Sequence, residues 1–475
     1  MSVVSEIMNE RPMDDVVSSV FERNYLYNRV RRTARKEDFY GEYAKILMHT
    51  SMPMNAAPRL ESEAVPMPSK DTFAEQHITQ YQMMSSIGWT AEEAEEAVKK
   101  GDAAIIDLVN RKVALAPSDM RWKQNMMYGG DGTGRMARVV SESTITHDVS
   151  TVVTVDNTQA NFGIKGTTLF KRTGGIRVDI LRPTASEHMV VDTDTPYVVA
   201  WNVVATKLTA TTLRVAILTD VEGNAVDGSC IGTHEITNND FIVLHNSWNL
   251  LGAKTVTATP TFKGFNITPG LLAIVDDQAA ADDEWNIGVA ASNGSWLGPT
   301  FQNLARASYP ELLATVYRGD TPGTAQSRDV AYIQDCVREI DENSESGGVV
   351  TALYMNGVTR DWMTRADAGM KNITIDQNVE LIPGIKGATM FRTSGGRTIP
   401  IVPINTLGDG VIYGINEGDL ILFEGLPLGW HTKAGSRIID INRNLTYESW
   451  MRWKGVLAAE RCDNCFRAED IDTSE

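Results

Sequence analysis

The strongest pattern of apolar and polar positions in the chain begins at Thr90 and is typical of a helix. Thr90 and Glu93 form a capping box, in which each side chain can satisfy a backbone donor at the helix start. Glutamates fill the first turns, where the helix dipole favours anions, and apolar residues then recur at helical spacing. The pattern predicts a helix over 90–116 that ends before Pro117. Gly101 is its weakest position, because glycine costs about 1 kcal/mol relative to alanine.

A second helical stretch is predicted at 118–128, and a glycine-rich run follows it over 129–134. The run lacks the Gly-Lys-Ser/Thr end of a P-loop, and its glycines do not match a dinucleotide-binding fingerprint. Phosphate loops also lead into a helix, whereas this run comes after one. We therefore interpret it as a helix C-terminus followed by a tight turn.

The first 89 residues have no pattern typical of a domain with its own core. Residues 14–43 read as helical turns and include the densest basic patch in the chain. The members of this patch are Arg29, Arg31, Arg32, Arg35 and Lys36. Two alternatives stay open: the patch contacts an acidic neighbour or a phosphate backbone, or it is a solvated helix face.

The segment 53–89 is predicted to be extended. Prolines at positions 53, 58, 66 and 68 exclude a helix there, and residues 72–87 have the composition of a hairpin. An isolated two-stranded ribbon is marginal in water. We therefore expect this segment to lie on a partner surface.

From residue 135 the apolar positions alternate with a period of two, which predicts antiparallel β-structure at sandwich or barrel spacing. From Pro299 onward the pattern mixes both periods. Helices are predicted at 300–317, 325–342 and 358–370, and strands near 349–355, 379–382, 387–391, 398–404, 411–415 and 419–424. An aromatic segment covers 445–461, and the acidic tail from Glu460 is expected to be frayed.

Composition and charge narrow the class of protein. The 475 residues include 44 basic and 61 acidic side chains, for a net charge of −17. This excess disfavours a role in coating nucleic acid, because phosphates would be repelled. No run approaches the roughly 18 to 20 apolar residues of a membrane span. The N-terminus lacks the pattern of a secretory signal, so we expect a protein made in the cytoplasm.

No pattern of catalytic, cofactor-binding or metal-binding residues is found. The sequence has no Gly-x-Ser-x-Gly and no His-Glu-x-x-His. Cys462 and Cys465 form one CxxC pair, which supplies two soft ligands where zinc takes four, so reduced thiols are the favoured interpretation. Carboxylate pairs such as Asp276-Asp277 lack the glycine and distal glutamate of an EF-hand loop and are interpreted as surface turns. We therefore expect a non-enzymatic protein.

The order of these segments resembles the major capsid proteins of tailed bacteriophages, which share the Hong Kong 97-type fold. A basic arm, a proline-bounded hairpin and a long helix precede Tyr128-Gly129-Gly130-Asp131-Gly132-Thr133-Gly134, which looks like a turn found in many members. Further similar segments follow in the family's order. They are 269–277, Trp296 with 301–304, 350–356 and the helix from Thr359, 387–391, 399–403 and 412–416.

The resemblance implies an α+β fold with seven parts. They are an N-terminal arm (1–52), an extended loop (53–89), a spine helix with its glycine-rich turn (90–134), a β-rich peripheral or inserted domain (135–298), a peripheral-domain helix (299–324), an axial domain (325–445) and a return to the peripheral domain with an acidic tail (446–475). In such folds maturation rearranges the spine helix, and Gly101 is the expected bend.

The implied function is a virion shell of hexamers and pentamers that self-assembles in the host bacterial cytoplasm and encloses double-stranded DNA without sequence preference. The basic patch at 29–36 is the expected contact with a neighbouring subunit or with DNA. Scaffold, portal and decoration proteins are possible partners; a cleaved N-terminal scaffold region is not expected, and no membrane or cofactor is. The alternatives are an encapsulin-like shell around an enzyme and a β-rich tail or decoration protein.

Overall fold

The structure is a computed structural model, and it has a mixed α+β fold, as the sequence predicts. It describes residues 25–37, 39, 43–51, 72–90, 120, 122–130, 132, 134–140, 143–145, 151–155, 166–170, 172, 175–182, 197–209, 211–217, 234–236, 240–251, 261–265, 268–276, 300–318, 326–343, 348–366, 373–382, 385–393, 395–404, 407–431, 439–441 and 446–473.

The strands are numbered in chain order. They are β1 (Arg35–Glu37), β2 (Tyr43–Ser51), β3 (Thr72–Thr79), β4 (Tyr81–Thr90), β5 (Arg135–Arg138), β6 (Ser143–Ile145), β7 (Thr151–Thr154), β8 (Ile176–Arg182), β9 (Tyr197–Lys207), β10 (Thr212–Ile217), β11 (His234–Ile236), β12 (Phe241–Leu244), β13 (Trp248–Leu251), β14 (Thr261–Phe265), β15 (Thr300–Phe301), β16 (Leu304–Ala305), β17 (Thr315–Tyr317), β18 (Ala352–Met355), β19 (Ile373–Ile382), β20 (Ile385–Arg392), β21 (Thr398–Pro403), β22 (Ile412–Ile415), β23 (Leu420–Trp430), β24 (Ile439–Ile441), β25 (Thr446–Ala459) and β26 (Phe466–Ala468).

The helices are fewer than the strands among the described residues. They are α1 (Tyr25–Thr33), α2 (Leu271–Ile274), α3 (Val330–Asn343) and α4 (Gly357–Ala366), and residues 122–129 are also helical. Short 3-10 turns cover Gly166–Leu169, Arg306–Ser308, Pro310–Leu312 and Glu417–Asp419. No helix in the described ranges is long and apolar enough to cross a membrane.

A five-stranded sheet is built around the C-terminal strand β25. One edge of β25 pairs antiparallel with β4 along all ten residues of that strand, from Thr90 to Tyr81. Its other edge pairs with β23 and β24, and β1 joins β23 in parallel. Strands from the two ends of the sequence therefore build one sheet.

The hairpin differs from its predicted position. β2 and β3 form a two-stranded antiparallel ribbon, so the outgoing strand lies at 43–51, inside the predicted helical arm. β3 and β4 are successive strands separated only by Gln80, rather than the two halves of a hairpin. We call β2 and β3 the ribbon; the proline-rich segment between them lies outside the described residues.

The β-rich region is a six-stranded sheet in which every neighbouring pair is antiparallel, in the order β5-β12-β8-β9-β10-β7. A bridge between Val139 and Val155, which follow β5 and β7, joins the two edges of this sheet. Its buried positions are mainly branched aliphatic residues, which suit a pleated and covered surface. The sequence-based prediction of antiparallel β-structure is confirmed here.

A seven-stranded sheet follows in the order β17-β26-β22-β18-β21-β20-β19. Its predicted strands are found, and the predicted helices at 325–342 and 358–370 are observed as α3 and α4. Both helices pack their apolar faces on the sheet, with Ile333, Val337 and Trp362 in one buried cluster with strand residues.

The predicted helix at 300–317 is wrong. Gln302 and Asn303 both have positive φ, 51° and 68°, and they form the tight turn between β15 and β16. Two positive φ values in a two-residue loop are typical of a type I′ hairpin, which a helix cannot accommodate. Pro310 then begins a 3-10 turn rather than continuing a helix.

The expectation of a frayed tail is wrong for residues 460–473, the part of the tail that the structure describes. β26 lies inside the seven-stranded sheet, between β17 and β22, and its residues are buried. The acidic residues of the tail suggested a solvent-exposed segment. Glu469 is instead buried beside Arg318 and Arg467.

The region around the predicted spine helix is described only at its ends. Thr90 is the last residue of β4, whereas Glu93, Gly101 and most of 90–116 lie outside the described residues. The helical stretch predicted at 118–128 is found at 122–129, and Gly132 and Gly134 after it have positive φ. The interpretation of this run as a helix end and a tight turn is confirmed.

The packing of β22 on β26 gives a testable prediction. A Cβ atom on Gly414 would lie 1.9 Å from the ring of Phe466, so Gly414→Ala should destabilise the sheet by about 1–3 kcal/mol through overpacking. Gly357→Ala is the matched control, because its Cβ would meet no atom within 4 Å. Thermal unfolding of the unassembled subunit should show a lower midpoint for Gly414→Ala alone. Equal midpoints would contradict this account of the packing.

Candidate subunit interface and arm attachment

The helix α1 of the arm is held by its apolar side. Leu26, Tyr27 and Val30 are buried, a spacing that places them on one face of the helix. Arg31 and Arg32 lie in the last turn, where positive charge is favourable next to the helix C-terminus. The buried side of α1 lies against the β23 region and the turn Glu417–Asp419.

The carboxylate of Glu417 joins three parts of the chain. It accepts two hydrogen bonds from Arg29, from Nε at 2.7 Å and from Nη2 at 2.6 Å, in a bidentate geometry. It also accepts a hydrogen bond from the hydroxyl of Tyr354 on β18. Arg29 and Glu417 are only 9% and 6% exposed. Burial raises the pKa of Tyr354 well above its usual value, so the hydroxyl stays protonated and donates.

A second carboxylate, that of Glu424 on β23, holds the start of α1. It accepts hydrogen bonds from the Tyr27 hydroxyl and from Nε1 of Trp453, the latter at 3.2 Å, and Nε of Arg31 lies 3.6 Å away. Burial, followed by the nearby negative charge of Glu424, raises the pKa of Tyr27. Tyr27, Tyr128 and Trp453 also form a ring cluster with centroids 5.5–6.4 Å apart. We call Glu417, Glu424 and their partners the arm anchor.

The basic patch predicted as a contact site is divided by the structure. Arg29 and Arg31 pair with the carboxylates of the arm anchor, and Arg35 pairs at the surface with Glu37 at 2.8 Å and Glu460 at 3.1 Å. The acidic neighbour of these three side chains is therefore in the same chain. The helix also ends at Thr33, so that Arg35 and Lys36 lie in β1. Arg32 and Lys36 are exposed.

The ribbon has two different faces. Its inner face packs on the five-stranded sheet, with Ile46 and Ile78 in one buried cluster with Phe423. Gln76 is fully buried there and donates to the backbone oxygen of Glu460 at 3.0 Å. These contacts hold the ribbon against the body of the subunit.

The outer face of the ribbon exposes large apolar side chains. Leu47 is 61% exposed, Phe73 is 52% exposed and Tyr43 is 44% exposed. Tyr43 stacks on His77 across the ribbon at 4.9 Å, and His49 contacts Phe73 at 4.2 Å. Sequence reasoning missed this face, because 43–51 was included in the helical arm. The alternation of Tyr43, Lys45 and Leu47 with buried residues is a strand signal that would have found it.

The region around the CxxC pair is buried. Cys462 and Cys465 are fully buried, and burial raises the pKa of the Cys462 thiol to about 12. Cys336 is also free and buried, with its pKa raised to about 12 for the same reason. No group of three or more metal-ligating side chains is found where the structure describes the chain.

The interpretation of Asp276-Asp277 as a surface turn is wrong for Asp276. It is buried, and its side chain lies 3.9 Å from Nη1 of the buried Arg467. Its backbone oxygen accepts a hydrogen bond from Arg306 at 2.8 Å. Arg306 also donates to the backbone oxygen of Ala273, so it satisfies carbonyls at the end of α2. Asp276 is therefore part of the packed interior and not of a surface turn.

Similar proteins are found among solved structures. No protein-family model matches the chain, and no curated protein matches it. The chain is similar to one in the cyanophage A-1(L) capsid asymmetric unit, with 10% identity, 98% of this chain and 94% of that chain covered, and a TM-score of 0.46. A chain in the capsid of a native GTA particle has 8% identity, 95% and 91% coverage and a TM-score of 0.42. The holo-SrpI encapsulin complex from Synechococcus elongatus PCC 7942 has 13% identity, 34% and 54% coverage and a TM-score of 0.25.

The arm anchor gives a second prediction. Glu417→Gln leaves the guanidinium of Arg29 buried without its opposite charge, which should cost about 3–5 kcal/mol. Glu460→Gln is the control, because its partner Arg35 is exposed and such pairs contribute about 0–1 kcal/mol. Glu417→Gln should lower the midpoint of thermal unfolding and speed trypsin cleavage within α1. Equal responses of the two variants would contradict the anchor.

The buried thiols give a third prediction. In a Cys230→Ser background every remaining cysteine is a described, buried residue, and we expect no reaction with a thiol reagent in mildly alkaline buffer until the protein unfolds. Since burial raises the pKa of Cys336 and Cys462 from 9.0 to about 12, the unfolded chain loses these protons first. Stability should therefore fall as pH rises above 9.0. Rapid labelling of the native protein would contradict the burial.

Proposed function

We propose that this chain is the subunit of a Hong Kong 97-type icosahedral shell that encloses phage double-stranded DNA, assembled as hexamers and pentamers. The observation that carries the proposal is the outer face of the ribbon. Tyr43, Leu47 and Phe73 lie exposed on it, while the opposite face is fixed to the subunit's own sheet.

An exposed apolar face of this kind is stabilised by a partner. Removing a leucine or phenylalanine side chain from water contributes about 1.5–3 kcal/mol. Covering this face with a partner would therefore stabilise the subunit by several kcal/mol. A second copy is the partner that an assembly of identical chains always supplies. Modest contacts of this kind add up when each subunit makes several of them at once.

The attachment of the ribbon suits a repeated contact. β4 continues from the ribbon directly into ten residue pairs with β25, and the arm anchor holds α1 against the β23 side of the same sheet. The outer face therefore has a fixed direction relative to the body of the subunit. A fixed contact between two different surfaces closes into a ring when the rotation fits, as hexamers and pentamers require.

The proposal extends to parts that the ordered sequence motifs suggest. The spine helix covers 90–116, with Gly101 as its bend, and the β-rich region is an inserted or peripheral domain. The seven-stranded sheet with α3 and α4 is the axial domain. The net charge of −17 keeps the wall from adhering broadly to DNA, and Arg32 and Lys36 are the members of the basic patch proposed to lie near it. Scaffold, portal and decoration proteins are the proposed further partners.

The ribbon face gives the fourth prediction. Leu47→Lys removes an exposed apolar side chain and places a lysine opposite Glu75, a carboxylate that already pairs with Lys45 and His77, so the new charge has an acidic neighbour in the ribbon. Shell formation, followed by negative-stain microscopy and light scattering, should need at least roughly tenfold more subunit, as expected for about 1.4 kcal/mol lost per contact. Leu208→Lys is the control, because it adds the same charge at an exposed apolar position in the turn after β9.

The contents of the particles separate the remaining alternatives. Closed shells of uniform diameter that contain nucleic acid, by ultraviolet absorbance, support the proposal. Shells that contain a protein cargo would favour an encapsulin-like compartment instead. Discrete small oligomers of the wild-type protein under all assembly conditions would rule out a shell and favour a tail or decoration protein.

A further inference from the structure

A cleft of about 570 Å³ lies at the junction of three parts of the subunit. One wall is the segment 80–84, where the ribbon passes into β4. A second wall comes from the helical segment 122–129, through Lys123 and Met127. The third comes from the β-rich region, through Arg177 on β8 and the turn 244–247. Clefts where structural units meet are common binding sites.

Two residues that line this cleft each have a buried polar side-chain atom with no hydrogen-bond partner among the described residues. The hydroxyl oxygen of Ser247 is one, and Ser247 is only 3% exposed. The side-chain amide nitrogen of Gln80 is the other. Both groups can donate. A buried donor without a partner costs roughly 1–3 kcal/mol, so both side chains are under strain where they meet the cleft wall.

The charged side chains of the cleft are all cationic. Lys123 and Arg177 contribute positive charge, and none of the lining residues is an aspartate or glutamate. Arg177 is exposed on β8. Met83, Met84 and Met127 supply an apolar wall, and Met84 is itself exposed. The lining therefore suits an anionic group on a flexible chain with apolar parts.

The histidine in the cleft is held in one orientation. Asp179 is fully buried, and its carboxylate lies 2.7 Å from Nδ1 of His245. The same carboxylate accepts hydrogen bonds from the backbone N–H groups of Asn202 and Asn246 at 2.8 and 3.0 Å. Because the oxygens of Asp179 are engaged, this carboxylate does not supply the missing acceptor.

We propose that the cleft binds a carboxylate-bearing segment of a second copy of this chain, and that Glu92, Glu93, Glu95 and Glu96 supply the carboxylates. This proposal rests on the proposed shell function and names one of its contacts. Four acidic residues in five make this run the densest in the sequence. Their alanine neighbours suit the methionine wall, and their charge complements that of Lys123 and Arg177.

The run cannot serve the cleft of its own subunit. The cleft lies at the Tyr81 end of β4, and the glutamates follow Thr90 at the other end. Nine steps of roughly 3.3 Å separate these ends by about 30 Å. Glu96, the farthest of the four, is six residues from Thr90, and six residues span at most about 22 Å even when fully extended. The contact therefore joins opposite ends of β4 in two copies, which is the head-to-tail arrangement that closes rings.

A charge exchange tests the proposal. Arg177→Glu should reduce the yield of shells at least roughly tenfold, since like charges in an interface cost several kcal/mol. Glu95→Lys with Glu96→Lys should do the same, and it leaves Thr90 and Glu93 unchanged. All three substitutions together should restore assembly. Arg214→Glu is the matched control, because Arg214 is exposed on β10 of the same sheet and does not line the cleft.

A binding measurement separates this proposal from the shell function. A synthetic peptide covering residues 90–98 should bind the unassembled wild-type subunit in fluorescence anisotropy, and Arg177→Glu should weaken that binding roughly tenfold. Peptide that does not bind, or a charge exchange that does not restore assembly, overturns the proposal. Protection from thermal unfolding by inorganic phosphate, with no effect of the peptide, would assign the cleft to a free anion and also overturn it. Absence of wild-type shells overturns the shell function alone, because the peptide result stands independently.

Discussion

The buried carboxylate of Glu417 is the contact on which the arrangement of the subunit depends. It receives Arg29 from the arm and Tyr354 from the seven-stranded sheet, and it lies in the turn that leads into β23 of the five-stranded sheet. A buried ion pair contributes little net stability compared with apolar packing. Its effect is on geometry. Because the buried carboxylate finds its hydrogen-bond donors in only one arrangement, it fixes the arm, the seven-stranded sheet and the five-stranded sheet relative to one another.

The strand β25 extends this constraint to the ribbon. Its edge carries β4, so a segment near the N-terminus and one near the C-terminus must meet before the sheet is complete. Pairing over such a sequence separation is slow to form, and the arm anchor brings Trp453 of β25 into contact with Tyr27. The exposed apolar face thus adjoins a sheet whose strand pairings, β1 with β23 and β4 with β25, join residues more than 350 positions apart.

Much of the fold follows from local patterns, and the failures have physical reasons. Five strands of the seven-stranded sheet, β18 to β22, and the helices α3 and α4 follow from periodicity, whereas β17 and β26 were not predicted. The helix expected at 300–317 failed because Gln302 and Asn303 adopt positive φ, which residue type alone does not require. The tail was expected to be frayed because its acidic residues suggest solvent, whereas Arg318 and Arg467 pair with Glu469 inside the protein. The pairing of Arg29 with Glu417 could not be read from local patterns for a similar reason, because the two residues are 388 positions apart in sequence.

These failures share one cause that also bears on function. Charges that look like surface charges in the sequence are used inside the subunit, at Arg29, Arg306 and Arg467, where carboxylates or backbone carbonyls meet them. These internal pairs remove three cations from the surface of a chain that already has a net charge of −17. Non-specific adhesion to a polyanion scales with the number of phosphates that cations neutralise. Because Arg29, Arg306 and Arg467 are engaged inside the subunit and the net charge is −17, we expect the chain to adhere weakly to a polyanion.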